Sequence, residues 1–245
     1  QAVADVTTHP ADALITTDEI ARIDGVLAPL VPADVLCAGH NWCGAPAAVG
    51  AGGRGGADSN APDEDDFEVF MKPTASVQDP GGVIRRPALE GDPHVVAEGE
   101  IAIVIGRACH AVEEEEVDAH VVGLVPALDV TAKRFQTPTG PPQWMRGKGF
   151  DTFCPLGPAV VTLDEVPSID ELHVETRVND IVVRSGSTAG MRRSIRRVVS
   201  AISRHVSLRP GTVVLTGAPP VVDGAVEPDL AAGDRVTVEV EGVGR

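Results

Sequence analysis

The stretch AEGEIAIVIG, residues 97–106, constrains the fold of this chain more than any other feature. It is an apolar run rich in isoleucine, which favours a β-strand, and two glutamates, Glu98 and Glu100, stand at its head. Since residues i and i+2 of a strand point to the same face, the glutamates share a face with Ala102 and Val104. The isoleucines lie on the opposite face. The pattern predicts a strand with one apolar face and one face that carries two carboxylates.

Two interpretations of this pair are open. Glu98 and Glu100 are either solvated at a strand end, or they flank a cation, because adjacent half-buried carboxylates repel each other and lose hydration. A third carboxylate, Asp129, ends the apolar run HVVGLVPAL at the mouth of another candidate strand. Three carboxylates would form a hard, oxygen-rich site suited to Mg²⁺, Mn²⁺ or Ca²⁺. Spacing alone does not place Asp129 beside the pair, so their proximity is an expectation.

The composition favours a sheet. Aromatic residues make up only 3% of the chain and tyrosine is absent, so the core must be built from Val, Ile, Leu and Ala. Many strand-like segments, few helical ones and no βαβ rhythm predict an α+β fold with a mostly antiparallel or mixed sheet.

Several segments predict particular elements. ELHVETRVNDIVVRSG alternates on both sides of Asn179-Asp180 and predicts a hairpin. SIRRVVSAISRHVSL predicts a helix, and EEEEVDAHVVGL predicts the acidic first turn of another. Strands are expected at VIRRP, TVVLTG and RVTVEVEGV. The apolar face of the helix predicted for SIRRVVSAISRHVSL consists of Ile195, Val198, Val199, Ile202 and Val206.

The chain divides into a short N-terminal segment, residues 1–25, and one large domain, residues 26–245. TTDEIARI is the helix-like piece of the first segment, with Thr17 as its candidate cap. Residues 44–66 are rich in Gly, Ala and Asp without periodicity, and they are a candidate mobile lid loop.

The formal net charge of −16 makes nucleic acid an unsuitable partner, because such a surface repels phosphate backbones. No apolar run approaches the roughly 20 residues that span a bilayer, so we expect no membrane contact and a cytoplasmic protein. The four cysteines form no CxxC pair and are expected to be reduced and mostly buried.

In this acidic chain, residues 130–150 carry four cations and no acid, which predicts either an anion pocket or an ordinary basic loop. These cations are Lys133, Arg134, Arg146 and Lys148.

Six motifs occur in the order found in a known family. FMKPTAS, AEGEIAIVIGRA, ALDVTAKRFQ, QWMRGKGFDTFCPLGP, RVNDIVVRSGSTAGM and RPGTVVLTGAP resemble the fumarylacetoacetate hydrolase superfamily, in its C-terminal catalytic domain type. The resemblance runs from about Val26 to the C-terminus. It implies a mixed β-sheet roll with a few peripheral helices, a homodimer, and one divalent metal ion per subunit, Mg²⁺ or Mn²⁺.

The resemblance also implies roles for particular residues. The metal ligands would be Glu98, Glu100 and Asp129, and the active-site lysine would be Lys148. Members of this superfamily act on small anionic 2-oxo acids, which the metal ion chelates so that it stabilises an enolate as a Lewis acid. The substrate-contacting positions implied are Lys72, Gln136, Arg146 and Thr188.

The chain departs from the family pattern where water would be activated. The His–Glu pair that does so in the family's C–C hydrolases is replaced by Ala45 and Ala48, and His40 is no obvious substitute. Ala218 also replaces a threonine that often binds substrate. The preferred hypothesis is therefore a decarboxylase or keto–enol isomerase, in which Lys148 with a lowered pKa donates or shuttles the proton. An acylpyruvate-type C–C hydrolase and a non-catalytic binding or partner protein remain alternatives.

Overall fold

A computed structural model describes residues 26–43, 67–88, 91–136 and 141–245 of the chain. Its centre is a six-stranded sheet with the order β2-β1-β10-β4-β5-β7. Strand β1 is parallel to β10, and every other neighbouring pair of this sheet is antiparallel. The strands are β1 (Val35–Ala38), β2 (Val69–Lys72), β4 (Val95–Ile105), β5 (Val121–Ala132), β7 (Val161–Thr162) and β10 (Val213–Leu215).

Two smaller sheets accompany the central one. An antiparallel sheet has the order β11-β8-β9, from β8 (His173–Val178), β9 (Ile181–Ser187) and β11 (Val236–Val240). A parallel pair joins β3 (Val77–Gln78) to β6 (Cys154–Pro155). The α-helices are α1 (Lys133–Gln136), α2 (Trp144–Lys148) and α3 (Ile195–His205). The 3₁₀ helices are η1 (Thr74–Ser76), η2 (Glu114–His120), η3 (Leu163–Glu165) and η4 (Thr188–Gly190). The mixed sheet with few helices confirms the α+β class.

The two faces of β4 pack into different apolar clusters, as the alternation of its sequence predicts. The isoleucines at positions 101, 103 and 105 belong to the larger cluster, which also contains the buried side of α3 and residues of the β11-β8-β9 sheet. Ala102 and Val104 belong to a smaller cluster on the opposite face, with Cys37 and Cys154. Glu98 and Glu100 therefore extend from the face of the smaller cluster.

Other predictions have mixed outcomes. The hairpin is confirmed as β8–β9, with φ values of 51° and 66° at Asn179 and Asp180, as a tight two-residue turn requires. The predicted helix is α3, but Val206 is wrong as a face residue, because it caps the helix in an extended conformation and is 44% exposed. VIRRP forms no strand. The acidic segment forms η2, a 3₁₀ helix, and β5 begins directly after it. TTDEIARI, Thr17 and the candidate lid of residues 44–66 lie outside the described residues.

Candidate active site

The pairing of β4 with β5 brings the three carboxylates together. Glu98 lies directly opposite Asp129 across the antiparallel pair, and Glu100 lies two residues farther along β4. Directly opposed side chains of antiparallel strands lie close together, and residues i and i+2 share a face. Glu100 and Asp129 are buried, at 3% and 1% exposure. The structure thus gathers the predicted metal ligands on one face of the central sheet.

Lys148 reaches into this group from the C-terminal end of α2. Its Nζ lies 2.6 Å from Oε2 of Glu98, 2.5 Å from Oδ2 of Asp129 and 2.7 Å from Oγ1 of Thr131. Burial opposes the charged form, but the two carboxylates outweigh it and raise the pKa of Lys148 above its usual range. The expected lowering of this pKa is therefore wrong for the site as the structure has it. Lys148 binds the carboxylates as an ammonium ion.

Lys72, the last residue of β2, holds Asp129 from the other side. Its Nζ donates to Oδ1 of Asp129 at 2.6 Å, to the carbonyl of Val130 at 3.3 Å and to the carbonyl of Lys148 at 2.5 Å. Each oxygen of the Asp129 carboxylate therefore has its own buried lysine, one on each side. This arrangement fixes the orientation of Asp129 before any ligand arrives.

Glu98 is surrounded by cations. Its Oε1 lies 2.8 Å from Nζ of Lys133 and 3.5 Å from a guanidinium nitrogen of Arg184. Burial opposes the charge of Glu98, but Lys133, Lys148 and Arg184 together hold its pKa well below the usual range. Arg184 is itself fixed, since it donates to Oε1 of Glu227 at 2.8 and 2.6 Å and to the carbonyl of Pro219 at 2.7 Å.

Glu100 has the opposite electrostatic character. The backbone N–H of Gly217 donates to its Oε2 at 2.6 Å. Burial raises the pKa of this carboxyl well above its usual range, and the nearby charge of Asp129 raises it further. A cation beside Glu100 would relieve both effects.

The donor chemistry of the three carboxylates fits a hard divalent cation, which prefers oxygen ligands. Among the described residues, no group of three or more His, Cys, Asp or Glu side chains is arranged so that it could hold a metal ion. The ammonium of Lys148 lies between Glu98 and Asp129, so it supplies the positive charge that Oε2 of Glu98 and Oδ2 of Asp129 face. The proposed ligand roles stay predictions.

The predicted substrate-binding residues other than Lys72 lie apart from these contacts. Gln136 and Arg146 stand on α1 and α2, which pack so closely that a Cβ on Gly147 would lie 2.7 Å from Cβ of Gln136. Arg146 is exposed. The hydroxyl of Thr188 donates to the carbonyl of Ile169 at 2.9 Å and accepts the N–H of Leu172, also at 2.9 Å. Their roles toward a substrate stay predictions.

The basic segment is divided by the fold. Lys133 and Lys148 point into the carboxylate group, whereas Arg134 and Arg146 are exposed. Two of the four cations of residues 130–150 thus neutralise the acids of the site, and the other two lie at the protein surface.

A second acid–base pair lies at the edge of the site. Nδ1 of His40 lies 3.1 Å from Oε2 of Glu68, and the His40 ring contacts the Trp144 ring edge-on, with centroids 5.2 Å apart. The Trp144 ring also lies 5.8 Å from Nζ of Lys148. Sequence reasoning missed Glu68 and Arg184. Glu68 directly precedes β2, the strand that carries Lys72. Arg184 is a charged residue within the alternating sequence of the hairpin, and this was the sequence signal that could have identified it.

The described residues also form a cavity of about 860 Å³ that does not contain the carboxylates. Its walls include Val95, Leu128 and Val238. Leu128 alternates with Asp129 along β5 and therefore points to the opposite face of the sheet. The carboxylates therefore face away from this cavity. No helix of the described residues has the length and apolarity needed to cross a membrane.

Comparison with known proteins gives a consistent result. A family model described as fumarylacetoacetate (FAA) hydrolase, C-terminal, matches residues 34–245. The mitochondrial oxaloacetate tautomerase fahd2 of Xenopus laevis is 36% identical over 225 residues, which are 89% of this chain and 66% of that protein. The 2,4-didehydro-3-deoxy-L-rhamnonate hydrolase of a Sphingomonas species is 35% identical over 190 residues, which are 76% of this chain and 66% of that protein. The chain thus spans about two thirds of the length of these relatives.

Solved structures agree with the sequence matches. The crystal structure of 5-carboxymethyl-2-hydroxymuconate delta-isomerase from Mycobacterium smegmatis superimposes with a TM-score of 0.73 at 37% identity. The match covers 90% of this chain and 79% of that one. The similar proteins are an isomerase, a tautomerase and a hydrolase.

Proposed function

Since the chain belongs to the fumarylacetoacetate hydrolase family and its relatives are enzymes, we propose that it is an enzyme that interconverts the keto and enol forms of a small 2-oxo dicarboxylate of the oxaloacetate type. One observation carries the proposal: Glu98, Glu100 and Asp129 lie together on a sheet face, where buried lysines bind Glu98 and Asp129. The identity of 36% to an oxaloacetate tautomerase supports this choice of reaction.

The three carboxylates would hold a divalent ion, Mg²⁺ or Mn²⁺. When bound, such an ion acts as a Lewis acid that stabilises negative charge developing on the substrate oxygens. The remaining work is done by side chains. Lys72 orients Asp129, and the buried ammonium of Lys148 adds positive charge that favours an anionic substrate.

The substrate is proposed to be an anion. Although the whole chain carries a formal net charge of −16, Lys133 and Arg184 flank Glu98, and the exposed Arg146 stands on the same short helix as Lys148. Arginine suits a carboxylate because its planar fork donates two parallel hydrogen bonds. We propose that Arg146 and Gln136 contact the far carboxylate of the substrate, and that Thr188 contacts it from η4.

The proposal is tested with purified protein loaded with Mg²⁺ or Mn²⁺. Enol-oxaloacetate has an ultraviolet absorbance that falls as the keto form appears, and we expect its decay to accelerate with protein concentration. Asp129→Asn should abolish the acceleration, whereas Glu239→Gln, an exposed carboxylate of β11, should leave it unchanged. A parallel assay for CO₂ separates tautomerisation from decarboxylation. Release of CO₂ as fast as the enol decays would show that the protein is a decarboxylase and not a tautomerase.

A second candidate is hydrolysis of a C–C bond, as in an acylpyruvate hydrolase. The 35% identity to a 2,4-didehydro-3-deoxy-L-rhamnonate hydrolase favours it. Ala45 and Ala48 oppose it, because the pair that activates water in the family's C–C hydrolases is replaced there. Production of pyruvate from acetylpyruvate by the Mn²⁺-loaded protein would support hydrolysis. A non-catalytic role is not favoured, because the relatives are enzymes.

We further propose that the protein is a homodimer. Strand β2 is an edge of the central sheet, and Val69 and Met71 on it are 41% and 50% exposed. Met145 on the neighbouring helix is 62% exposed. Exposed apolar residues on a sheet edge are typical of a surface that pairs with another chain. Light scattering on the eluted protein should give twice the mass of 25.4 kDa. A cytoplasmic location stays a prediction.

A further inference from the structure

The pair formed by His40 and Glu68 has the chemistry of a general base and its orienting partner. Hydrogen bonding from His40 lowers the pKa of Glu68, so Glu68 is a carboxylate that can only accept. Nδ1 of His40 must then carry the proton of their 3.1 Å contact, and in the neutral form of the ring Nε2 has a free electron pair. The side chains are 30% and 38% exposed, so a small molecule can reach them.

Two independent contact paths place this pair at the edge of the carboxylate site. On one side, the next residue, Asn41, donates to the carbonyl of Thr216 at 3.1 Å, and Gly217 donates to Glu100. On the other side, the ring of His40 packs on Trp144, which begins the helix that carries Lys148. The imidazole thus stands between the segment that holds Glu100 and the helix that delivers the lysine.

The backbone at this position is held in an uncommon conformation. His40 has a φ of 50°, in the left-handed region that residues with side chains seldom adopt. Its neighbours fix it there: Gly39 donates to the carbonyl of Glu68 at 2.7 Å, and Asn41 also accepts the N–H of Arg193 at 3.1 Å. Strained backbone that the surroundings hold in place clusters at functional sites.

The buried lysines leave the role of base open. All three N–H bonds of the Lys148 ammonium are directed at oxygen atoms of Glu98, Asp129 and Thr131. Lys72 likewise has three oxygen acceptors. A keto–enol interconversion needs a group that can accept a proton from carbon, and the hydrogen bonds of both lysine nitrogens are taken up by these oxygen atoms.

We propose that His40 is the proton-transfer residue of this enzyme and that Glu68 is its positioning residue. The inference rests on the proposed tautomerase function. Nε2 of His40 takes a proton from C3 of the 2-oxo acid. The electron pair of that C–H bond becomes the C2–C3 double bond, and the carbonyl π pair moves to the oxygen, which takes a proton from water. The imidazolium then returns its proton to the solvent, and ketonisation is the reverse.

The test is chemical rescue of His40→Ala. We expect this variant to exchange the C3 protons of oxaloacetate with D₂O about 100-fold more slowly than the wild type, as followed by NMR with Mg²⁺ bound. Added imidazole should restore part of the rate, which a merely structural loss would not allow. Mn²⁺ affinity, measured by electron paramagnetic resonance of the free ion, should stay within about twofold. His120→Ala removes a histidine remote from the site and is the matched control.

Glu68 is tested by a split between kcat and KM. Glu68→Gln should lower kcat about tenfold with little change in KM, and Glu68→Asp should recover part of kcat. If the wild type is active and His40→Ala retains full activity, the proposed role of His40 is overturned, but the proposed function is not. A slow His40→Ala that imidazole does not restore would also overturn that role. A wild type without catalysed exchange would overturn the proposed function as well.

Discussion

Arg184 connects the carboxylate site to the segment that follows β10. It is 6% exposed and binds both Glu227 and the carbonyl of Pro219, while it also faces Glu98. Gly217, in the same segment, donates to Glu100. The segment therefore contributes to the position of both glutamates of β4. It acts on Glu98 through Arg184, which it binds, and on Glu100 through the backbone N–H of Gly217.

Removal of this arginine should cost far more than removal of an exposed one. Arg184→Ala leaves Glu227 without its buried cationic partner and removes one of the three cations around Glu98. We therefore expect the free energy of unfolding to fall by about 3 kcal/mol in urea denaturation. Arg209→Ala breaks an ion pair with Asp34 whose arginine is 63% exposed, and it should cost at most about 1 kcal/mol. Equal losses in the two variants would show that Arg184 is not a structural connection.

The cysteines differ in the same way by position. Cys37, Cys109 and Cys154 are buried and free, whereas Cys43 is exposed. Burial raises the pKa of Cys37 and of Cys109 and raises the pKa of Cys154 to about 12, so these thiols carry almost no thiolate at neutral pH.

We therefore expect one fast thiol in the native protein. Ellman's reagent should release one equivalent rapidly at pH 8 and four after denaturation in guanidinium. Cys43→Ser should remove the fast phase and leave the slow one. A fast phase of two or more equivalents would mean that the buried thiols are accessible.

At the scale of elements, β4 is the strand on which the site depends, because it packs against a second sheet and also carries two of the carboxylates. Gly99, between Glu98 and Glu100, faces β8, and its N–H donates to Oγ1 of Thr176 at 3.1 Å. A Cβ at this position would lie 2.1 Å from the same oxygen and 3.0 Å from a methyl of Val238. The glycine lets the two sheets approach.

Gly99→Ala should separate the sheets locally. Overpacking of this kind costs about 1–3 kcal/mol, and we expect a loss of this size in urea denaturation, accompanied by weaker Mn²⁺ binding because both neighbours shift. Gly190→Ala is the control, since a Cβ there meets nothing within 4 Å, and its stability should stay within about 0.5 kcal/mol. An unchanged stability of Gly99→Ala would show that the contact relaxes easily.

The sequence predicts local patterns and not the contacts between distant segments. The common face of Glu98 and Glu100 follows from the two-residue period of a strand. Their contact with Asp129 depends on the register of β4 against β5, which the composition of either strand does not determine. His40 and Glu68 are 28 residues apart, and their pairing follows only from the alignment of β1 with β2. VIRRP likewise depends on a distant segment, because the backbone N–H of Arg85 donates to the side-chain hydroxyl of Thr152 at 2.9 Å and not to a neighbouring strand.

At the scale of the whole molecule, the acidic chain concentrates unlike charges at its centre. Glu98, Glu100 and Asp129 lie in the middle strands of the central sheet, where we expect local opening to cost the most free energy. A ligand that binds these carboxylates only when the strands are paired must stabilise the entire fold by mass action. Metal binding should therefore be visible as thermal stability.

We expect Mn²⁺ at 100 times its dissociation constant to stabilise the EDTA-treated protein by about 2.7 kcal/mol, which for a chain of this length corresponds to a rise of about 5–10 °C in Tm. Glu100→Gln should fold normally, because burial already disfavours the charge of Glu100, but it should lose most of the Mn²⁺-dependent rise. Glu239→Gln keeps all three carboxylates and should retain the full rise. If Glu100→Gln keeps it as well, Glu100 is not a ligand of the metal ion.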